Sequence, residues 1–188
     1  SDGEINTAAV NESEDCITVV NYLISQGFEK VSFFGHSLGA ACGIYVASHF
    51  PNLVSIAIDS PYIDHEDRSA FKISKRYNIT KEKVKNLYPE SCKIIKDEYG
   101  IDFLSIEQLF DAATKITQPI FVVHGRKDVV LPFSHSERLM QLVKSEEKIF
   151  EPMNCGHCDF GRYDYNLRQF IFILQHNGSN ITKYEDND

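Results

Sequence analysis

Apolar residues in this chain group into two kinds of segment, short runs and helical repeats. The runs predict buried strands at residues 31–34, 53–58, 119–124 and 148–151. Apolar positions spaced three and four residues apart predict helices at residues 11–26, 38–50, 132–144 and 163–175. Because these strands and helices alternate, we predict an α/β fold in which helices cover both faces of a parallel sheet.

Residues 64–117 interrupt the alternation and predict two or three helices. Thr80 is a candidate helix N-cap, and Pro89 marks the start of a new helix. We therefore divide the chain into a first core part (residues 1–63), a helical cap insertion (64–117), a second core part (118–175) and a disordered polar tail (176–188).

The part of this insertion from Arg68 to Lys85 is locally basic. A solvated helical face is the simpler interpretation of such a charge run. The alternative, which the sequence leaves open, is that these residues attract an anionic substrate or a membrane surface.

Composition narrows the class of protein. A chain of 188 residues that is 43% hydrophobic and 24% charged has the size and balance of one globular domain. Its net charge of −8 argues against a general nucleic-acid binder, and we expect neither a transmembrane segment nor a signal peptide. Five scattered cysteines argue against a disulfide framework and favour a cytoplasmic or other reducing compartment.

The segment Gly35-His36-Ser37-Leu38-Gly39 joins a predicted strand to a predicted helix. This G-x-S-x-G pattern in a strand–turn–helix setting is typical of a nucleophile elbow, which presents a serine at the carboxyl end of a sheet. We expect small residues at Gly35 and Gly39 because the backbone approaches its neighbours closely there. Ser37 is then the candidate nucleophile, and the N–H of Leu38 a candidate oxyanion donor. The alternative is a glycine-rich turn with an idle serine.

A nucleophilic serine requires a base that is itself oriented by a carboxylate. In this architecture the chain order is serine, then acid, then histidine. Asp128 follows the predicted strand at residues 119–124, and His157 follows the last predicted strand, so both fit that order. Asp59, which also ends a predicted strand, is the reserve acid.

Four other histidines are interpreted as structural. They are His36 beside the serine, His124, which ends a predicted strand and is interpreted as a loop histidine with its hydrogen bonds satisfied, and His49 and His135 on helices away from the site. Cys155 and Cys158 form one C-x-x-C pair around His157, and a single pair is weak evidence for a metal or redox site. We therefore predict no metal and no organic cofactor.

Four motifs together resemble the α/β-hydrolase superfamily: Gly35-His36-Ser37-Leu38-Gly39, Asp59-Ser60-Pro61, His124-Gly125-Arg126-Lys127-Asp128 and Gly156-His157. Within it, residues 1–174 are similar to the serine aminopeptidase (S33-like) and "hydrolase 4" esterase and lipase group, and the opening Ser1-Asp2-Gly3-Glu4 resembles the turn before that group's first helix. The resemblance implies that Ser37 is the nucleophile, Asp128 the acid and His157 the base, under a cap formed by residues 64–117. Esters, lipids, thioesters and peptides are the substrates it implies.

The chain also departs from that family. Family members have several strands before the helix that precedes the elbow, and one of their loops supplies a second oxyanion donor. No segment before Val31 matches these features, so the elbow strand would lie at a sheet edge, where a long apolar strand promotes aggregation unless it is covered. We expect a missing amino-terminal segment or a partner chain to complete the sheet next to residues 31–34 (Val31 to Phe34).

These observations predict a serine hydrolase that cleaves an ester, thioester or amide bond of a small-molecule or acyl substrate through an acyl-enzyme. The alternative is a non-catalytic α/β-hydrolase-like subunit or scaffold in a larger assembly. The complete triad favours the enzyme, and the missing half of the sheet favours the scaffold. A dinucleotide-binding module is disfavoured because no G-x-G-x-x-G follows a predicted strand.

Overall fold

The computed structural model describes residues 6–104, 108–159 and 165–179. The strands are β1 (Phe33–His36), β2 (Ile56–Asp59), β3 (Ile120–Gly125) and β4 (Lys148–Met153). The helices are α1 (Asn11–Ser25), α2 (Leu38–His49), α3 (His65–Tyr77), α4 (Lys81–Tyr99), α5 (Leu109–Ala113), α6 (Ser134–Leu142) and α7 (Tyr165–His176). The opening turn suggested by residues 1–4 lies outside the described residues, as do residues 180–188 of the predicted tail.

The four strands form one parallel sheet in the order β1-β2-β3-β4. Phe34 pairs with Ala57, and Ala57 pairs with Phe121. Because the strands are parallel, the segments that follow β1, β2, β3 and β4 emerge at the same edge of the sheet. This edge carries the residues of the candidate site.

Helices cover both faces of the sheet. Ile56 and Ile58 of β2 point into the larger core, which they share with α1, α2, α5 and α6. Ala57, between them, points to the opposite face, where it packs with Phe121 and with Phe172 of α7. The alternation follows from the two-residue period of a strand and confirms the predicted two-sided α/β fold.

Strands β1 and β2 begin later than predicted. They start at Phe33 and Ile56 rather than at residues 31 and 53. The preceding apolar residues Val31 and Leu53 pack against the core from irregular backbone, where the N–H of Val54 donates to the carbonyl of Val31 at 2.9 Å. Burial therefore explains their apolar character, and regular strand structure does not.

The cap range contains two long helices that pack against each other, α3 and α4. Thr80 caps α4 as predicted, with Oγ1 accepting a hydrogen bond from the N–H of Lys83 at 3.2 Å. The predicted restart at Pro89 is wrong, because α4 continues through it. A proline inside a helix removes one backbone hydrogen bond. On either side of Pro89, α4 is anchored by a buried side chain, Val84 before it and Cys92 after it.

Two further segments differ from a simple cap and tail. Helix α5 lies in the range assigned to the cap, yet Leu109 and Ala112 belong to the main core beside α2. The predicted tail begins too early, because α7 includes His176 and the Asn177 side chain donates to Ser32 Oγ at 2.8 Å. In the described part of the chain, no helix has both the length and the apolar composition needed to cross a membrane.

Candidate active site

Ser37 occupies the turn between β1 and α2. Its backbone has φ +52° and ψ −111°, a left-handed region that is uncommon for residues other than glycine. The N–H of Ser37 donates to the carbonyl of Asp59 at 2.9 Å, and its own carbonyl accepts from the N–H groups of Ala40 and Ala41. Bonds to β2 on one side and α2 on the other hold the strained turn in place.

The two glycines of the elbow are not equivalent. A Cβ added at Gly35 would lie 2.5 Å from the carbonyl oxygen of Gly39, so the predicted close approach at Gly35 is confirmed. The same expectation for Gly39 is wrong, because a Cβ there would meet nothing within 4 Å. The first turn of α2 presses its backbone onto the end of β1, so only the residue on the strand has to be small.

The three residues predicted to form a triad lie in one hydrogen-bonded chain. His157 Nε2 is 3.0 Å from Ser37 Oγ, and His157 Nδ1 is 2.7 Å from Asp128 Oδ2. These distances allow the imidazole to accept the serine proton while its other nitrogen donates to the carboxylate. The geometry is that required of a nucleophile, base and orienting acid.

The loops that carry Asp128 and His157 are bonded to each other. The N–H of Arg126 donates to the carbonyl of Met153 at 2.7 Å, and the N–H of Lys127 donates to the carbonyl of Cys155 at 2.9 Å. Gly125 makes this approach possible, because a Cβ there would lie 2.2 Å from the carbonyl oxygen of Gly156. His157 and Asp128 are therefore positioned by a shared backbone contact between their loops.

Asp128 is held in the ionised form. Burial of its side chain opposes ionisation, but Oδ2 faces His124 and His157, and Oδ1 accepts from the N–H groups of Val130 (2.7 Å) and Leu131 (2.9 Å). Together these hydrogen bonds outweigh the burial and hold the pKa of the carboxyl well below its usual value.

His124 is a member of this network that the sequence reasoning missed. It lies in β3, fully buried, rather than in a loop, with Nε2 3.2 Å from Asp128 Oδ2 and Nδ1 2.7 Å from Ser136 Oγ. The ring therefore lies between the Asp128 carboxylate and the Ser136 hydroxyl. The spacing of four residues between His124 and Asp128 was the signal available in the sequence.

The reserve acid, Asp59, serves a different set of neighbours. It is buried, its Oδ1 accepts from Ser60 Oγ at 2.8 Å, and its Oδ2 accepts from Tyr165 Oη at 3.2 Å. His36 Nδ1 lies 3.7 Å from the same carboxylate, which agrees with a structural position for that histidine. In the described part of the chain, Asp128 is the carboxylate bonded to His157.

His49 and His135, also interpreted as structural from the sequence, lie away from Ser37. His49 is exposed at the end of α2 and bonds to the carbonyl of Tyr45. His135 is buried on α6 and ties the cap to the core, with Nε2 3.0 Å from Asp67 on α3 and Nδ1 accepting from the N–H of Ile63. Burial lowers the pKa of His135, although Asp67 acts in the opposite direction.

All five cysteines are free thiols. Burial raises the pKa of Cys158 to about 12 and also raises that of Cys155. Both thiols around His157 are therefore protonated at neutral pH, whereas metals and oxidants react with the thiolate.

Ser37 and Leu38 open onto a cavity of about 120 Å³. Its other walls include Tyr62, which follows β2, and Arg68 and Lys72 of the cap helix α3. Leu38 is the first residue of α2, so its N–H has no acceptor within the helix. The cavity thus brings the candidate nucleophile, the backbone N–H of Leu38 and two cations together.

Comparison with known proteins supplies the family. Residues 5–157 match the family model of the prolyl oligopeptidase family, which is most of the chain. The chain belongs to the prolyl oligopeptidase family. This assignment, together with the fold, confirms the predicted α/β-hydrolase superfamily, whereas the S33-like group within it stays a prediction.

Two curated relatives of this prolyl oligopeptidase family member are distant and longer. The human α/β hydrolase domain-containing protein 17B is 24% identical over 147 residues, which cover 76% of this chain and 42% of that protein. The uncharacterized protein YfhR of Salmonella typhi is 24% identical over 157 residues, 82% of this chain and 50% of its own length. The chain spans about half the length of the curated relatives it matches.

A solved structure shows the same fold. The Pyrococcus furiosus esterase Pf2001 superimposes with a TM-score of 0.69 at 17% identity, over 94% of this chain and 65% of that one. The match confirms the α/β-hydrolase fold, and its coverage is consistent with a partial version of that fold. Family and fold together support a hydrolytic function.

Proposed function

We propose that this family member is a serine hydrolase that cleaves an ester, thioester or amide bond through an acyl-enzyme. The observation that carries the proposal is the continuous hydrogen-bonded chain from Ser37 through His157 to the buried Asp128 carboxylate. In this proposal Ser37 is the nucleophile, His157 the general base and acid, and Asp128 the group that orients the imidazole.

The reaction has two halves. Ser37 Oγ attacks the substrate carbonyl carbon while its proton passes to His157 Nε2, and the resulting oxyanion accepts a hydrogen bond from the N–H of Leu38. The C–X bond then breaks, and protonated His157 returns its proton to the leaving oxygen, sulfur or nitrogen. Water then attacks the acyl carbonyl carbon while His157 Nε2 takes its proton. The bond to Ser37 Oγ breaks, Oγ recovers that proton from His157, and the acid is released.

We also propose that a further segment completes the sheet at β1, either an amino-terminal part of a longer chain or a partner chain. Among the described residues, β1 pairs with β2 on one side and with no strand on the other. Nearby, Ile24 and Phe28 are more than half exposed and line a cavity of about 510 Å³ with Val31, just before β1. The completing segment would also supply the second oxyanion donor.

Labelling with a fluorophosphonate tests the triad, because only an activated serine displaces its fluoride and forms the P–O bond. We expect the chain to be labelled at Ser37, Ser37→Ala to abolish labelling and His157→Gln to slow it at least about a hundredfold. Matched controls lie on α2, where Ser48→Ala and His49→Gln change the same residue types away from the triad and should label normally.

Two results would contradict the enzyme. If Ser37→Ala is labelled as fast as the parent chain, the nucleophile is elsewhere. If the folded chain stays unlabelled both alone and with the segment or partner that completes the sheet, the triad is not assembled and the non-catalytic scaffold becomes the better interpretation. Folding is checked independently by cooperative urea unfolding.

A further inference from the structure

The charged side chains at the start of the cap helix α3 have different partners. Asp67 lies 3.1 Å from Lys85 Nζ and 3.0 Å from His135 Nε2, and Asp64, the N-cap residue, lies 3.7 Å from Arg138. Arg68 and Lys72 instead line the Ser37 cavity. No acidic residue is among the described residues that line this cavity, although the chain as a whole has a net charge of −8.

Arg68 is held in a fixed position. Its guanidinium carbon lies 4.7 Å from the centre of the Tyr62 ring, within the range of a cation–π contact. Tyr62 is itself only 1% exposed, and its hydroxyl donates to the carbonyl of Ala8 at 2.9 Å. A guanidinium stacked on a rigid ring loses little conformational freedom when it binds a ligand.

The other cations of α3 behave differently. Lys75 lies 4.2 Å from the Phe71 ring and Arg76 lies 5.7 Å from the Tyr77 ring, both on exposed parts of the helix outside the cavity. The basic segment seen in the sequence therefore contains two groups of cations. One lies on the solvated face, and the other faces the candidate nucleophile.

We propose that Arg68 and Lys72 bind a carboxylate of the substrate a few atoms from the bond that is cleaved, so that the protein prefers acyl substrates with a negative charge. The inference rests on the proposed function and adds the substrate class. A single guanidinium fork matches the two oxygens of a carboxylate, and Lys72 adds a second, more exposed positive charge at the mouth. The small volume of the cavity places the charge close to Ser37.

The test compares two esters of similar length that differ in charge, monoethyl succinate and ethyl butyrate, with hydrolysis followed by acid release. We expect Arg68→Gln to lower kcat/KM for the succinate ester between about tenfold and a hundredfold, and for the butyrate ester less than about twofold. Lys72→Gln should lower kcat/KM for the succinate ester about threefold, because an exposed charge contributes less. Added salt should reduce the preference for the succinate ester.

Matched controls lie on the same helix. Arg76→Gln and Lys75→Gln remove the same charges outside the cavity and should leave the ratio of the two kcat/KM values unchanged. If they lower that ratio as much as Arg68→Gln does, the effect is the general field of the helix and the local site is rejected. If Arg68→Gln slows both esters equally, Arg68 only supports Tyr62 and the proposal fails.

Binding separates this inference from the proposed hydrolase activity. Ser37→Ala cannot turn the esters over, so calorimetry can measure the Kd of monoethyl succinate for Ser37→Ala and for Ser37→Ala with Arg68→Gln. We expect Kd to rise at least about tenfold with the second substitution. An unchanged Kd overturns the carboxylate site even if the parent chain hydrolyses esters. A higher Kd for the double variant supports the site even if the parent chain hydrolyses neither ester.

Discussion

The strained backbone conformation of Ser37 is accompanied by one close backbone contact, between Gly35 and Gly39. The left-handed conformation of Ser37 brings the first turn of α2 onto β1, and Gly35 fits beneath the carbonyl of Gly39 because it has no side chain. The contact is asymmetric, since Gly39 has open space where a Cβ would be. Two glycines that look alike in the motif therefore have different tolerance to substitution.

This asymmetry predicts the effect of two alanine substitutions. Gly35→Ala should displace Ser37 from His157 and lower the fluorophosphonate labelling rate by at least about a hundredfold, since a small misplacement of reacting groups costs that much. Gly39→Ala adds the same methyl group in open space and should keep the rate within about threefold of the parent chain. Equal rates for the two variants would show that the backbone contact at Gly35 does not position the serine.

The sequence assigns His124 no role in the site, and the structure places it beside Asp128. Its residue type and position at a strand end could be read, but its role depends on Asp128 and Ser136 converging on its two ring nitrogens. Ser37, Asp128 and His157 could be selected because their chain order and loop positions are characteristic. Their catalytic roles stay predictions, although the structure brings their side chains together.

Helix α3 begins with a histidine whose protonation is coupled to folding. His65 is 2% exposed and packs between the rings of Tyr62 and Phe103, and neither ring nitrogen has a hydrogen-bond partner in the part of the chain that the structure describes. Burial, assisted by the nearby Arg68, lowers the pKa of His65 from 6.5 to about 4. The folded cap therefore holds this ring neutral at pH values where the unfolded chain protonates it.

The expected sign is a loss of stability as the pH falls. Between pH 6.5 and pH 4 the unfolded chain binds a proton that the folded chain does not, so the free energy of unfolding decreases with acidification. From pH 7 to pH 5, His65 should account for about 2 kcal/mol of that decrease. Urea unfolding of the parent chain and of His65→Phe measures it as the difference between their pH dependences.

Exposed His49 provides the matched control. His49→Phe makes the same substitution at an exposed position on α2, so it shows how much any exchange of histidine for phenylalanine changes the measured pH dependence. Carboxylates elsewhere titrate in all three proteins and cancel in the comparison. If His65→Phe loses stability on acidification as steeply as the parent chain, burial of His65 does not lower its pKa in the folded protein.

Local patterns predicted most of the secondary structure, and long-range contacts decided the remainder. Helices α1 and α2 follow their apolar spacing and terminal residues closely. The delayed starts of β1 and β2, the passage of α4 through Pro89 and the packing of α5 against α2 depend on neighbours distant in sequence. Such contacts override local preference, and a single sequence does not display them.

One side of the molecule exposes a sheet edge together with apolar side chains. Strand β1 lies at the edge of the described sheet, and the apolar residues Ile24 and Phe28 lie exposed beside the segment that leads into it. Edge strands and contiguous apolar surface both promote association. The chain spans 65% of the Pyrococcus furiosus esterase, so the proposed completing segment has room in the fold.

This surface predicts that the chain by itself associates as its concentration rises, and sedimentation velocity can follow the change in mass. Ile24→Lys, which places a charge on the surface beside β1, should shift association to at least about tenfold higher concentration. Ile94 is the matched control, because it is 52% exposed like Ile24 but lies on cap helix α4. If Ile94→Lys has the same effect, association does not use the β1 side. If the parent chain is a monomer throughout, that side needs no cover, and the proposed completing segment is contradicted.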